Sequence, residues 1–277
     1  MPHKIYVDSK HRAQGSCTDF SINLPYPIQV KGKAFVDTCL IPNTFYVVRA
    51  NENDRVYVRE GASVFRVVQL IAGQYNAVTL AAELKRALDT GRSFTGTYTV
   101  THNLSTQTLT IGTDDATGIF HLYPTALLET DSNNSWNVPA FANGGPTIDP
   151  TNLMSAGKII GLSNGSSVLS GNINVDVTLP EIVNLLPYPQ LFLKSHNLGT
   201  GQDAIGSMPA SSQIIRRICV TAPLNHTIYD LHSLPYDSVT VGDKQISTLA
   251  FRLTDSEDKV VDTRNHDISF SIIFVDE

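Results

Sequence analysis

The chain has 277 residues, of which 42% are hydrophobic and only 17% charged, and its formal net charge is −6. A chain of this size buries a large core without disulfides or metals. Its acidic balance, with Arg216-Arg217 as the longest basic cluster, argues against a sequence-specific nucleic-acid reader. Cys17, Cys39 and Cys219 are widely spaced and form no Cys-x-x-Cys pair, so neither a zinc knuckle nor a thioredoxin-like site is indicated, and they read as reduced, buried thiols in a protein made in cytosol.

The first residues, Met1 to Tyr6, lack the apolar stretch of a signal peptide. No run approaches the roughly 20 apolar residues that span a bilayer, so the expectation is a soluble chain with no membrane span. Residues 1–16 are polar apart from Ile5, Tyr6 and Val7 and read as an N-terminal arm, free to order on a neighbour by strand addition. Deleting residues 1–12 is then expected to leave the fold intact and impair assembly.

From Phe20 onward the dominant period is two. Phe20 to Leu24 predicts a short strand that stops at Pro25-Tyr26-Pro27. Lys33 to Val48 predicts a longer strand region, bent at Ile41-Pro42-Asn43 because proline cannot donate to a central ladder. Arg55–Arg59 and Val64–Leu70 follow as strands. Leu80, Leu84, Ala87 and Leu88 then share one face of a helix that Asn76 or Thr79 starts and Gly91 follows. Thr97–Thr101 and Thr108–Ile111 flank a turn-rich segment and read as a hairpin. Residues 129–152 carry little periodicity and read as a loop, and Met154 to Leu162 as a short helical turn closing on Gly161. Strand patterning resumes at Gly171–Leu179, Tyr188–Ser195, Gln213–Thr221 and Gln245–Thr254. Ile268 to Phe274 is so apolar that it must lie within a sheet.

Many short strands with one strong helix predict an all-β protein, an antiparallel jelly-roll sandwich carrying an inserted strand–helix–hairpin subdomain. The expected organisation is an arm at 1–16, a core of 17–60 and 166–277, and an insertion at 61–165.

Catalytic and metal motifs are weak. The eight histidines are scattered. His226 and His232 lie six apart around Tyr229 and Asp230, and with His196 they are the residues an enzymatic reading would rest on. Asp255-Ser256-Glu257-Asp258 reads as a turn without EF-hand spacing. Gly199-Thr200-Gly201 is not followed by the Lys-Ser/Thr of a phosphate loop. No cofactor, metal or enzymatic activity is expected. A surface made polar by Ser, Thr and Asn is cheaper to desolvate than one of Lys and Glu, which suits a subunit that buries itself against neighbours. Tyr26, Tyr46, Tyr57, Tyr188 and Tyr236 lie beside prolines or at strand ends, either as interface anchors or as ordinary sandwich-edge residues.

Several motifs carry a resemblance. They are Ile5-Tyr6-Val7-Asp8-Ser9-Lys10-His11-Arg12, Thr18-Asp19-Phe20 to Leu24-Pro25, Ile41-Pro42-Asn43-Thr44-Phe45-Tyr46, and Gly73-Gln74-Tyr75-Asn76 running into the helix. Phe251–Asp255 and Ile268–Phe274 add a closing pair. Together they resemble the penton (vertex) and minor capsid proteins of virophages and related polinton-like or large double-stranded DNA viruses. The resemblance implies a jelly-roll virion protein, made in the host cytoplasm, that assembles as a homopentamer at the fivefold vertices of an icosahedral capsid beside the major capsid protein. Ile5, Tyr6, Val7, Arg12, Tyr26 and Tyr46 are then the expected interface residues. Lys4, Lys10, His11 and Arg12 are a basic group that could instead face encapsidated DNA. The alternative is a receptor- or carbohydrate-binding β-sandwich module of a virion spike or fibre.

Overall fold

The computed structural model describes residues 3–62, 64–130, 153–165, 167–198, 213–231 and 238–275. In chain order, β1 (His3–Asp8), β2 (Gln14–Gly15), β3 (Asp19–Val30) and β4 (Lys33–Pro42) come first. β5 (Arg55–Glu60), β6 (Val64–Gln69), α1 (Ala77–Asp89), β7 (Tyr98–Asn103), β8 (Thr108–Thr113), β9 (Phe120–Leu122), α2 (Thr125–Thr130), α3 (Gly157–Ile160), β10 (Leu169–Gly171) and β11 (Val177–Thr178) follow. The chain closes with β12 (Gln190–Lys194), β13 (Ile214–Cys219), β14 (Thr227–Asp230), β15 (Val239–Thr240), β16 (Lys244–Thr254) and β17 (Ser269–Val275). Two compact units result: Met1–Phe45 with Tyr188–Glu277, and Tyr46–Pro187.

The first unit is the sandwich. One sheet has the order β1-β17-β4-β14, with β15 also paired to β4, and the other β13-β12-β16-β3-β2. Set aside the two-residue β2 and β15, and eight strands remain. The first, eighth, third and sixth form one sheet, and the second, seventh, fourth and fifth form the other. All pairings are antiparallel. This is the jelly-roll order, and the second unit is inserted between its third and fourth strands. The core is built by the period-two pattern: Val7, Phe20, Val36, Leu191, Ile218, Phe251 and Phe270 are all buried in one cluster. Phe251 links the layers. Its ring lies 5.7 Å from Phe20 in its own sheet and 4.8 Å, edge-on, from Phe270 in the other.

Several expectations change, among them the burial of all three thiols: Cys17 and Cys39 are buried, but Cys219 is exposed. Residues 3–8 are a strand of the sandwich and not an arm: β1 pairs along its length with β17, and Val7 is 2% exposed in the core. Removing residues 1–12 therefore takes out an element of the fold. β3 does not stop at Pro25. It continues to Val30 because residues 24–27 bulge opposite Ser247, between the Asn23–Thr248 and Ile28–Ile246 pairs, where no ladder donor is needed. The insertion begins at Tyr46 and ends at Pro187, rather than at 61 and 165, because β5 pairs with β6 and β9, and β10 with β9.

The inserted unit holds a four-stranded sheet, β10-β9-β5-β6, and a three-stranded one, β11-β8-β7. Asn76 starts α1 through a reciprocal cap: the Thr79 N–H donates to Asn76 Oδ1 at 2.8 Å and the Asn76 N–H to Thr79 Oγ1 at 2.9 Å. The helix buries Leu80, Leu84, Ala87 and Leu88 in a cluster with Val58, Tyr98, Leu109 and Ile111. The predicted strand at 171–179 is instead two short strands around a turn. The turn leaves Ile173 and Val175 exposed, because Asn172 and Val175 pair with each other across it. Glu60, fully buried, accepts from Tyr98 Oη at 2.8 Å and from the Ser93 N–H at 2.6 Å, and pairs with Arg66. Burial, together with the Glu60 carboxylate beside it, pushes the Tyr98 hydroxyl's pKa up. The 129–152 loop lies almost wholly outside the described residues, as does Tyr236.

Candidate assembly surface

β1 ends its sheet. The Ser9 N–H donates to Ile268 O at 2.9 Å, and antiparallel pairing alternates by two from that point. The backbone groups of Val7, Ile5 and His3 therefore face β17, and those of Lys4, Tyr6 and Asp8 face away from the sheet. No strand lies beyond them among the described residues. The six-residue strand contains no proline, and its register with β17 has no shift. β3, by contrast, is blunted by Pro25 and Pro27.

The outer face of β1 carries Tyr6, which is 78% exposed. Lys4 Nζ sits 5.1 Å over its ring and 2.5 Å from Asp37 Oδ2. Asp37 can reach it because β4 bulges there: Ser271 opposes Thr38, Ile272 opposes Val36, and Asp37 is the extra residue. The hydrogen bond to Asp37 holds the Lys4 ammonium above its ordinary pKa.

Arg12 is committed to the chain's own turn. It donates to Ser9 O at 2.9 Å, Asp267 Oδ1 at 3.1 Å and Gly15 O at 3.2 Å. Ser9 Oγ donates to the same carboxylate at 2.9 Å and accepts from the Ile268 N–H at 3.0 Å. Burial opposes ionisation of Asp267, yet hydrogen bonds from Ser9, Cys17 and Arg12 outweigh it and keep its pKa below the usual range. Gly15 is required in this turn: its φ is +96°, and a Cβ there would meet Asp19 O at 2.1 Å.

The expected interface residues therefore divide. Tyr6 and Tyr26, each 78% exposed, present broad aromatic surface. Ile5 is half-buried and packs on the core. Val7 belongs to the core, and Arg12 holds a turn to the loop before β17, so neither is a free surface group as the arm reading had it. Tyr46 is half-buried and belongs to the inserted unit. Tyr57 and Tyr188 are 2% and 4% exposed and serve packing. A concavity of about 540 Å³ opens beside β1, its apolar wall made by Ile5, Val7, Ile22, Leu24, Pro25 and Phe270.

The sheet's opposite end carries exposed apolar side chains as well. Tyr229 and Leu231, at and just after β14, are 57% and 52% exposed. Asp230 between them receives a bidentate bond from the buried Arg216 of β13, at 2.8 and 3.0 Å, tying the two sheets together. Sequence alone does not mark this end: Ile228, Tyr229 and Leu231 are all hydrophobic, and only Ile228 is buried. His232 lies outside the described residues, and among those described no group of three or more His, Cys, Asp or Glu is placed to hold a metal ion. No described helix is long and apolar enough to cross a membrane.

No protein-family model matches the sequence, and no curated protein matches it. The structure aligns with the crystal structure of the selenomethionine-labelled mavirus penton protein at a TM-score of 0.50, covering 99% of each chain, with 8% sequence identity. The two chains share a fold.

Proposed function

We propose that this chain is the vertex subunit of an icosahedral capsid: a homopentamer in the virion, seated among copies of the major capsid protein. The reading rests on one observation, the jelly-roll strand order with a single insertion, matched over 99% of its length by a penton protein. The motifs at both ends of the chain and the low charged fraction agree with it. Physically, a ring of five needs one heterologous interface repeated until it closes. Exposed tyrosines such as Tyr6 and Tyr26 suit that interface because they bury large area at small entropic cost. Lys4 and Arg12 are both paired to the chain's own carboxylates, which favours protein contact over DNA contact at this end of the unit.

Native mass spectrometry and sedimentation velocity of the full chain test the reading. The expected species is five chain masses. A single chain mass across a wide range of concentration and salt contradicts it, as does a closed dimer.

A further inference from the structure

The jelly-roll unit has one sheet whose two ends are complementary to each other. Its main path, β1-β17-β4-β14, contains four antiparallel strands, so β1 and β14 run in opposite directions. A copy generated by rotation about an axis along the strands keeps those directions. Its β14 then meets β1 antiparallel, the pairing of the rest of the sheet.

The phases of the two ends also agree. At β1 the outward backbone groups belong to Lys4, Tyr6 and Asp8. At β14 the Asn43 N–H donates to His226 O at 2.9 Å. Stepping by two turns the backbone of Ile228 and Asp230 toward β4 and that of Thr227 and Tyr229 away from it. At both ends, the residues with unspent backbone groups carry their side chains on the outer face, Tyr6 and Tyr229. The alternate residues, Val7 and Ile228, lie in the core at 2% and 1% exposure. Joining the ends therefore places core face beside core face and tyrosine beside tyrosine. A sheet with an odd number of strands would fail on direction and phase together. β15 occupies the other part of β4's flank at Ala34 and Lys33, which confines the join to the β14 end.

We infer that the free edge of β1 receives β14 of a second copy, extending one sheet from subunit to subunit around the ring. This deepens the vertex reading and rests on it. The contact combines new main-chain hydrogen bonds with burial of Tyr6, Tyr229 and Leu231, side chains that are otherwise 78%, 57% and 52% exposed.

The test compares wild-type protein with Tyr6→Pro and Tyr229→Pro. Each substitution removes an N–H that faces away from its own sheet, a position where an edge strand tolerates proline. Circular dichroism should stay β-type for both while native mass falls from the ring to single chains. Hydrogen exchange on the wild type supplies a second readout that needs no variant: the Tyr6 and Tyr229 amides become protected in the ring and lose protection in dissociated chains. A wild-type ring that persists in both variants, or in which these amides exchange as freely as in single chains, overturns the edge pairing and leaves the vertex reading standing. A β1–β1 pairing, seen as a twofold dimer, also overturns it. A wild type that is monomeric throughout sinks the vertex reading itself.

Discussion

Phe251→Asp is expected to yield no folded jelly-roll unit, and Phe251→Ala to lower its unfolding free energy by about 3–5 kcal/mol. Domains carry only about 5–15 kcal/mol in total, so the alanine variant should remain folded with a much lower urea midpoint by circular dichroism. The reason is placement. Phe251 is 1% exposed and lies between Phe20 of its own sheet and Phe270 of the facing one. Truncation leaves a cavity at the contact between layers, and a carboxylate there has no partner to offset its desolvation. An unchanged midpoint for Phe251→Ala would mean the two sheets are not joined through this residue.

Arg66→Ala should weaken the inserted unit by about 3–5 kcal/mol, because it strips the counter-ion from a buried carboxylate. Glu60 has no exposed surface, and Arg66 is only 13% exposed. Arg66 also donates to Leu88 O at 3.1 Å, closing the end of α1 onto β6. Glu60→Gln in the same background should recover part of the loss, since a neutral amide at residue 60 no longer needs the cation, while its oxygen still accepts from Tyr98 or Ser93. Localised hydrogen exchange over residues 55–98 reads the effect. Equal protection in Arg66→Ala and wild type would contradict the role assigned to this network.

Pattern and structure agree where local physics decides. The capped helix at 77–89 follows from its apolar face and from Asn76, and the Tyr98–Asn103 and Thr108–Thr113 hairpin from alternation around a polar turn. They part where the partner strand decides. Alternation shows that Ile5 and Val7 differ in facing from Tyr6, but not that β17, more than 250 residues away in the chain, lies beside them. Pro25 and Pro27 read as a stop because a sequence cannot show that they fall in an irregularity between the Asn23–Thr248 and Ile28–Ile246 pairs. Asp37 and Asp267 carry no local signal as partners of Lys4 and Arg12, since the partners lie 33 and 255 residues apart in the chain. The same holds for the assembly surface. Tyr6 stands out in the short apolar element Ile5–Val7 and Tyr26 between two prolines, whereas Tyr229 gains meaning only because β14 is the far end of the sheet that β1 begins.

Negative-stain imaging of the purified full-length protein bears most directly on the vertex assignment. Class averages should show closed rings with five equal lobes. Isolated single-chain particles, or rings of another symmetry, would contradict it.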